Sequence, residues 1–324
     1  GGRIREGVKK AQAEGRFALN QAEMIKADIS YEADLRYWNT VARGEIVDIA
    51  CRFARSVEKL VKVVRERVEV QLVDRNDLLM AEVKLNDTRY QLMQAENGYE
   101  VARMSLNSFV GEDFESVLPV DTLVVPIYSV GTLPGYMEQV TGNRPELRMA
   151  QDKISIQESV RKLNQAQFLP QFYVGLDGSY SSPGYNFKAD LDPNYAVYAK
   201  VSIPLFEWGK RRNEKRAGDY KVAIARDNYN KVKDAVSLEV QSAYYNYVQA
   251  VERVTLTENS LAKACENEEM ALERYREGKI SIDGVLDAQM FHQTAQMNFV
   301  QSRLTAQISY SNFVRVLGVD SVKE

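Results

Sequence analysis

Toward the C-terminus apolar residues return every three or four positions. Val232, Val236, Val240, Tyr244, Tyr247, Val251 and Val254 form one run, and Leu286, Met290, Met297, Val300, Leu304 and Ile308 another. The spacing is that of a helix with a coiled-coil seam, Glu, Arg and Lys filling the positions between. Periodicity alone suits an ordinary helical bundle equally well. In the middle of the chain the period drops to two. Phe172, Val174 and Leu176 share a face opposite Tyr173, Gly175, Asp177 and Ser179; Val197, Ala199, Val201, Ile203 and Leu205 oppose Tyr198, Lys200 and Ser202. These predict two strands of about 10–12 residues, the length of a tilted membrane strand. The loop between them, from Ser181-Ser182-Pro183-Gly184 to Asp192-Pro193-Asn194, is polar. Phe168, Phe172, Tyr173, Phe206 and Trp208 gather at the strand ends nearest the helices, where an interfacial aromatic girdle sits. A soluble hairpin with core aromatics is the alternative that two strands alone favour.

Proline placement extends the helical reading. All eight prolines lie between Pro119 and Pro204. Because proline breaks helix interiors, both flanks are free to form very long helices. The flanks also match each other. Gly2 against Gly209 and Gly111 against Gly318 share an offset of 207, and that register pairs Tyr37 with Tyr244, Asn39 with Asn246 and Val41 with Val248. It also aligns Glu45 with Glu252, Glu66-Arg67 with Glu273-Arg274, Leu79 with Leu286, Ala81 with Ala288 and Gln94 with Gln301. Duplication explains this better than chance.

Each copy reads as a long helix, a short turn and a shorter helix. In the second copy a helix from Lys210 to Glu277 ends at Gly278-Lys279-Ile280-Ser281-Ile282, and the next runs to Leu317 before Gly318. The long helix would span on the order of 100 Å, which suits a tube or rod. In the first copy the turn falls at Gln71–Asn76, with Asp74 and Asn76 suited to turn and cap positions. Gln71 replaces the glycine found at Gly278, which predicts a turn of different shape. The expected organisation is a first helical repeat at 1–111, a mixed connector at 112–144 and a helix begun by Pro145-Glu146 over 145–170. A β-hairpin at 171–206, a second helical repeat at 207–318 and a tail at 319–324 complete it.

Composition narrows the function classes. Of 324 residues, 45% are hydrophobic and 27% charged, a folded composition, and a net charge of −3 gives no global basic field for nucleic acid. No apolar run is long enough for a membrane-spanning helix, whereas a spanning β-structure needs only short alternating strands. His292, Cys51 and Cys265 cannot build a zinc site. His292 has no Cys or His partner at ligand spacing and reads as structural or solvated. At the 207 offset Cys51 is level with position 258, seven residues from Cys265 and about 10 Å along a helix, so two free, buried thiols are expected. No phosphate loop, HExxH or GxSxG occurs, so neither an enzyme nor a cofactor is expected.

Taken in order, these segments resemble the TolC-type outer-membrane efflux protein family. Arg144-Pro145-Glu146-Leu147, Leu169-Pro170-Gln171-Phe172 and Pro204-Leu205-Phe206-Glu207-Trp208-Gly209 carry the likeness, with Arg274-Tyr275-Arg276-Glu277-Gly278 and Gly284-Val285-Leu286-Asp287-Ala288. The first copy adds Arg67, Leu72-Val73, Asp77-Leu78-Leu79 and Ala81. The resemblance implies a mainly α fold with a β-hairpin. Long antiparallel coiled-coil helices would form a periplasmic α-barrel, and strands would join a trimeric twelve-stranded outer-membrane β-barrel. By the 207 offset the 171–206 hairpin should have a counterpart before Gly2, so about 60 mature residues and a signal peptide are expected upstream, outside this chain. Three copies of it alone would supply too few strands for an open channel.

The resemblance further implies a homotrimer in the outer membrane of a Gram-negative bacterium, its helical tunnel in the periplasm, coupled through a periplasmic adaptor to an inner-membrane pump. It places adaptor contact at Arg67, Leu72, Asp77, Leu79, Ala81, Arg274, Gly278, Val285, Leu286 and Ala288, although Leu79, Ala81, Leu286 and Ala288 equally suit packing within the turn. Asp287 matches an acid at the tunnel entrance. A second such acid falls at Gly284 here, with Asp283 beside it; helix-start roles are the competing view for both acids. The expected function is a passive exit duct for tripartite efflux or type I secretion. A soluble periplasmic coiled-coil adaptor or scaffold is the alternative. Cargo is not legible in the residues.

Overall fold

The structure, a computed structural model, describes residues 2–125, 131–183, 187 and 189–319. Residues 126–130 of the connector, Gly184 of the polar loop and 320–324 of the tail lie outside the described residues. The elements are α1 (Arg3–Glu69), α2 (Arg75–Val110), α3 (Leu133–Asn143), α4 (Pro145–Ala166), β1 (Gln171–Ser181), β2 (Asp192–Ser202), α5 (Lys210–Arg276) and α6 (Ile282–Leu317). Among the described residues the fold is mainly helical with one small hairpin.

The repeat is carried by the backbone itself. Helices α1 and α5 each hold 67 residues, α2 and α6 each 36, and their boundaries stand 207 apart. Left-handed glycines precede the long helices, Gly2 at φ 78° and Gly209 at φ 77°. Left-handed Gly111 and Gly318 cap the short ones, where a Cβ would be strained.

Two elements differ from the sequence expectation. The connector contains α3, hidden in the sequence by Pro134, Gly135 and Gly142. Pro134 lies in its first turn, where a missing N–H leaves no helical bond unmade. The second strand stops at Ser202 rather than running to residue 206, because Pro204 has no N–H to add to the ladder.

The chain divides into two compact units. One combines residues 1–24 with 145–235. Here α4 is held by ion pairs on either side: Arg16 and Asn20 both donate to the Asp152 carboxylate at 2.9 Å, and Arg161 pairs with Asp219 at 3.0 Å. Small residues allow the approach. Ala13, Ala150 and Ala225 are buried, and a Cβ on Gly218 would stand 2.7 Å from Arg161 Cγ.

The other unit combines residues 25–144 with 236–324. Val41, Ala42 and Ile49 of α1 pack with Val300 and Leu304 of α6 and with Val124. An aromatic cluster joins α3, α5 and α6: Tyr136 meets Phe313 edge-on at 5.0 Å, and Tyr247 stacks on Phe313 at 5.9 Å. Burial first, then Tyr310 and Tyr136, pushes the Tyr247 hydroxyl up to about 12. Arg144 donates to the Val316 carbonyl at 2.7 Å and pairs with Glu239 at 2.6 Å, tying the end of α3 to α5 and to the end of α6.

Candidate functional site

Two places concentrate the residues singled out in the sequence. The first is the pair of turns joining α1 to α2 and α5 to α6. Each turn closes with the same three bonds. Val70, Gln71 and Leu72 donate to Glu66, Val68 and Arg67 carbonyls at 3.3, 3.0 and 2.8 Å; Glu277, Gly278 and Lys279 donate to Glu273, Tyr275 and Arg274 at 3.1, 3.0 and 2.8 Å. Both are Schellman closures. The expectation that losing the glycine reshapes the first turn is therefore corrected: Gln71 adopts the left-handed backbone at φ 57°, against 73° for Gly278. A left-handed L-residue costs about 1–2 kcal/mol. A Cβ at Gly278 would meet nothing within 4 Å, so the geometry leaves room for a side chain.

Arg67 links the two turns. Its guanidinium donates to the carbonyls of Tyr275 and Arg276 at 2.9 and 2.8 Å and lies 4.9 Å over the Tyr275 ring. It thereby gives the Arg276 carbonyl at the end of α5 a partner, and the Tyr275 carbonyl a second one beside the Gly278 amide. Arg274, at the equivalent position, is exposed.

The contact candidates separate by burial. Ala81, Val285 and Ala288 are buried, and Leu286 is half-buried against the cluster built on Val64, Tyr275 and Ile282. Those four pack the turn. Leu72 is 72% and Leu79 50% exposed. Leu79 and Leu286 line a shallow groove with Met80, Val83, Lys84 and Asp87. Gly278 is exposed at the apex of its turn.

Acidic residues gather beside them. Asp74 caps α2 by accepting from the Asn76 amide at 3.1 Å, whereas Ser281 makes no such bond at α6. Partial burial, then the charges of Asp74 and Asp283, hold the Asp77 carboxyl above its ordinary value. Asp77 and Asp283, given separate roles from the sequence, thus belong to one electrostatic group. Asp283 lies in the first turn of α6, and Asp287 is exposed one turn later. Sequence reasoning missed Asp74 as a member of this group, although its place three residues before Asp77 was visible.

The second place is the hairpin. Its antiparallel register sets Phe172 opposite Val201, Val174 opposite Ala199 and Leu176 opposite Val197, all on one face. That face is open: Phe172 is 73%, Val174 81%, Leu176 71% and Val197 79% exposed. The other face pairs Tyr173 with Lys200, Asp177 with Ala196 and Ser179 with Asn194. There Tyr198 covers Gly175, where a Cβ would come within 2.4 Å of the ring. Of the residues expected to form an aromatic girdle, Phe172, Tyr173, Phe206 and Trp208 are exposed, and Phe206 meets Trp208 edge-on at 5.0 Å. Phe168 is buried instead.

His292 Nδ1 contacts Glu268 across α5 and α6, and Nε2 lies 3.0 Å from Gln296 Nε2. Cys51 and Cys265 are free but half-buried, not buried as expected. Burial, then Glu269 and Glu268, pushes the Cys265 thiol up. Among the described residues no His, Cys, Asp and Glu cluster suits a metal ion, and no helix is long and apolar enough to cross a membrane.

Residues 136–319 match a family described as outer membrane efflux protein. The toxin and drug export protein A of Aggregatibacter actinomycetemcomitans is 18% identical over 325 residues, covering 99% of this chain and 71% of that protein. The CmeC outer membrane channel of Campylobacter jejuni superposes with a TM-score of 0.81 at 16% identity, over 98% of this chain and 68% of that one. The outer membrane protein VceC of Vibrio cholerae gives 0.83 at 18% identity, over 98% and 76%. At these identities the structural likeness carries the fold.

Proposed function

The chain belongs to the outer membrane efflux protein family, and on that premise we propose that it is the passive exit duct of a tripartite efflux or type I secretion system. The observation that carries this reading is the open apolar face of the hairpin, Phe172, Val174, Leu176, Val197 and Val201. In water such a face is a liability; in lipid it is the outer wall of a barrel. Three copies would assemble, each with a further hairpin, into a twelve-stranded barrel continued by a periplasmic helical tunnel. An exposed apolar stripe on α2, formed by Leu79, Val83, Tyr90, Met93, Val101 and Met104, supports assembly, since a neighbouring copy would cover it.

The paired turns would meet the periplasmic adaptor through their exposed members, Leu72, Leu79, Arg274 and Gly278. Arg67, Ala81, Val285, Leu286 and Ala288 would hold those members in place. Asp77, Asp283 and Asp287 would recur around the threefold axis as carboxylates that attract cations at the tunnel entrance. The inner-membrane pump supplies the driving force, and the duct opens as its turn helices untwist.

Fractionation of the full-length protein in a Gram-negative host, with crosslinking, tests the reading. A detergent-dependent trimer in the outer membrane is expected, and deletion of residues 171–206 should abolish insertion. A water-soluble monomer or dimer from the intact gene would overturn the duct.

A further inference from the structure

Where the hairpin hands the chain to α5, the sequence runs Glu207-Trp208-Gly209-Lys210-Arg211-Arg212-Asn213-Glu214-Lys215-Arg216. Five cations stand against two carboxylates in a chain whose net charge is −3. Helix α5 has no acid in its first turn. Cations there oppose the helix dipole, which favours negative charge at that end. All five side chains are exposed, and none makes an ion pair among the described residues. Elsewhere in this unit three arginines do find carboxylates: Arg16 pairs with Asp152, Arg161 with Asp219 and Arg226 with Glu158.

The residues just before this run are equally unusual. Trp208 adopts φ 45°, a left-handed conformation disfavoured for a bulky side chain, and is 90% exposed. Phe206 against it is 73% and Leu205 91% exposed. The aromatic pair begins four residues after β2, whose apolar face is open. An exposed apolar surface, then an exposed aromatic pair, then unpaired cations follow the layers of a bilayer leaflet: acyl chains, interface and headgroups. The first repeat carries a shorter version. Gly2 has the backbone of Gly209, and Arg3 and Arg5 stand at the positions of Lys210 and Arg212, both exposed, with 86% exposed Ile4 between them.

We propose that Lys210, Arg211, Arg212, Lys215 and Arg216, anchored by Trp208, form a collar that binds anionic phospholipid headgroups in the membrane leaflet nearest the helices. The proposal rests on the hairpin being the membrane-inserted part. Arginine forks hold phosphate oxygens in pairs, lysines act as mobile point charges, and Trp208 fixes the depth at which both meet the headgroup layer.

The test uses the full-length trimer in nanodiscs of phosphatidylethanolamine with roughly a fifth phosphatidylglycerol, where each cation near the surface favours anionic lipid by roughly five-fold. Native mass spectrometry reads the phosphatidylglycerol retained per trimer. The Lys210→Gln/Arg212→Gln variant should lose most of the enrichment while remaining a trimer, and the five-fold Gln variant should lose all of it. Lys210→Arg/Lys215→Arg should keep it. Inorganic phosphate at the same concentration should not displace the lipid. Equal retention by the Gln variants, or displacement by phosphate, overturns the collar while leaving the duct intact. A full-length protein that needs no detergent overturns the duct, and the collar with it.

Discussion

Helices α2 and α6 have the same length, the same glycine cap and the same place in their repeats, yet they face different surroundings. Val300 of α6 is 1% exposed, whereas Met93, its counterpart 207 residues earlier, is 58% exposed. Ser311 is buried where Met104 is exposed, and Ile308 is half-buried where Val101 is open. At these positions α6 therefore packs Val300 and Ile308 against α1, and α2 displays its apolar residues to solvent. Duplication preserved the backbone frame and left each helix to diverge in what covers it. A stripe that nothing among the described residues covers, on a helix otherwise rich in charge, has the pattern of a seam between chains.

Matched substitutions test that difference most severely. Val300→Asp places an unpaired carboxylate where no water reaches, and it should cost about 3–5 kcal/mol or prevent folding. Met93→Asp, on the same frame, should leave helical circular dichroism and monomer stability within about 0.5 kcal/mol. Its effect should appear in assembly, as a loss of crosslinked trimer. Equal damage to folding by both substitutions would erase the contrast; an undisturbed trimer in Met93→Asp would remove α2 from the seam.

The turns offer a milder comparison, since there the backbones agree and the residues differ. Gly278→Ala should cost about 1 kcal/mol, through its φ of 73° alone because no atom crowds the site. Gln71→Gly should gain somewhat less than about 1 kcal/mol, because relief at φ 57° is partly offset by a freer unfolded chain. Chemical denaturation of both variants checks the opposite signs. A destabilised Gln71→Gly would mean that the glutamine side chain holds the turn by contacts stronger than its backbone strain.

Much of this architecture is legible in the sequence because its signals are long. Proline-free flanks, two hydrophobic periods and glycines at a fixed offset each act over tens of residues. Arg144-Pro145 and Leu169-Pro170 mark helix limits through chemistry that tertiary packing cannot override. What stayed hidden depends on single positions. Left-handed Gln71 is a non-glycine choice that only the three turn bonds reveal, and α3 was masked by a proline in its permitted place. Burial of Phe168, against exposure of Phe172, depends on which neighbours the helices bring, and strand period alone does not supply that. The paired roles of Arg67 and Tyr275 join residues 208 positions apart. The basic run after Trp208 was in plain view, but its meaning needed the finding that none of its cations makes an ion pair among the described residues.

The smallest effect concerns an acid that only the first repeat carries. Asp77 stands where the second repeat has Gly284, yet it shares its surroundings with Asp283 of the second. The folded chain holds the Asp77 proton more readily than the unfolded chain does. Its ionised form therefore opposes folding above the raised folded value. That opposition fades as pH falls through it and is gone below the ordinary 3.8. Asp77→Asn should accordingly stabilise the chain at neutral pH by a few tenths of a kcal/mol after solvent screening. The gap to the native chain should close in acid. Urea midpoints at neutral pH and at about pH 3 measure it. If the variant is instead less stable at neutral pH, the carboxylate's attraction to the α2 helix start outweighs its burial and its two acidic neighbours. The acids of the two turns would then be independent helix-start residues, and the proposed entrance ring would reduce to Asp283 and Asp287.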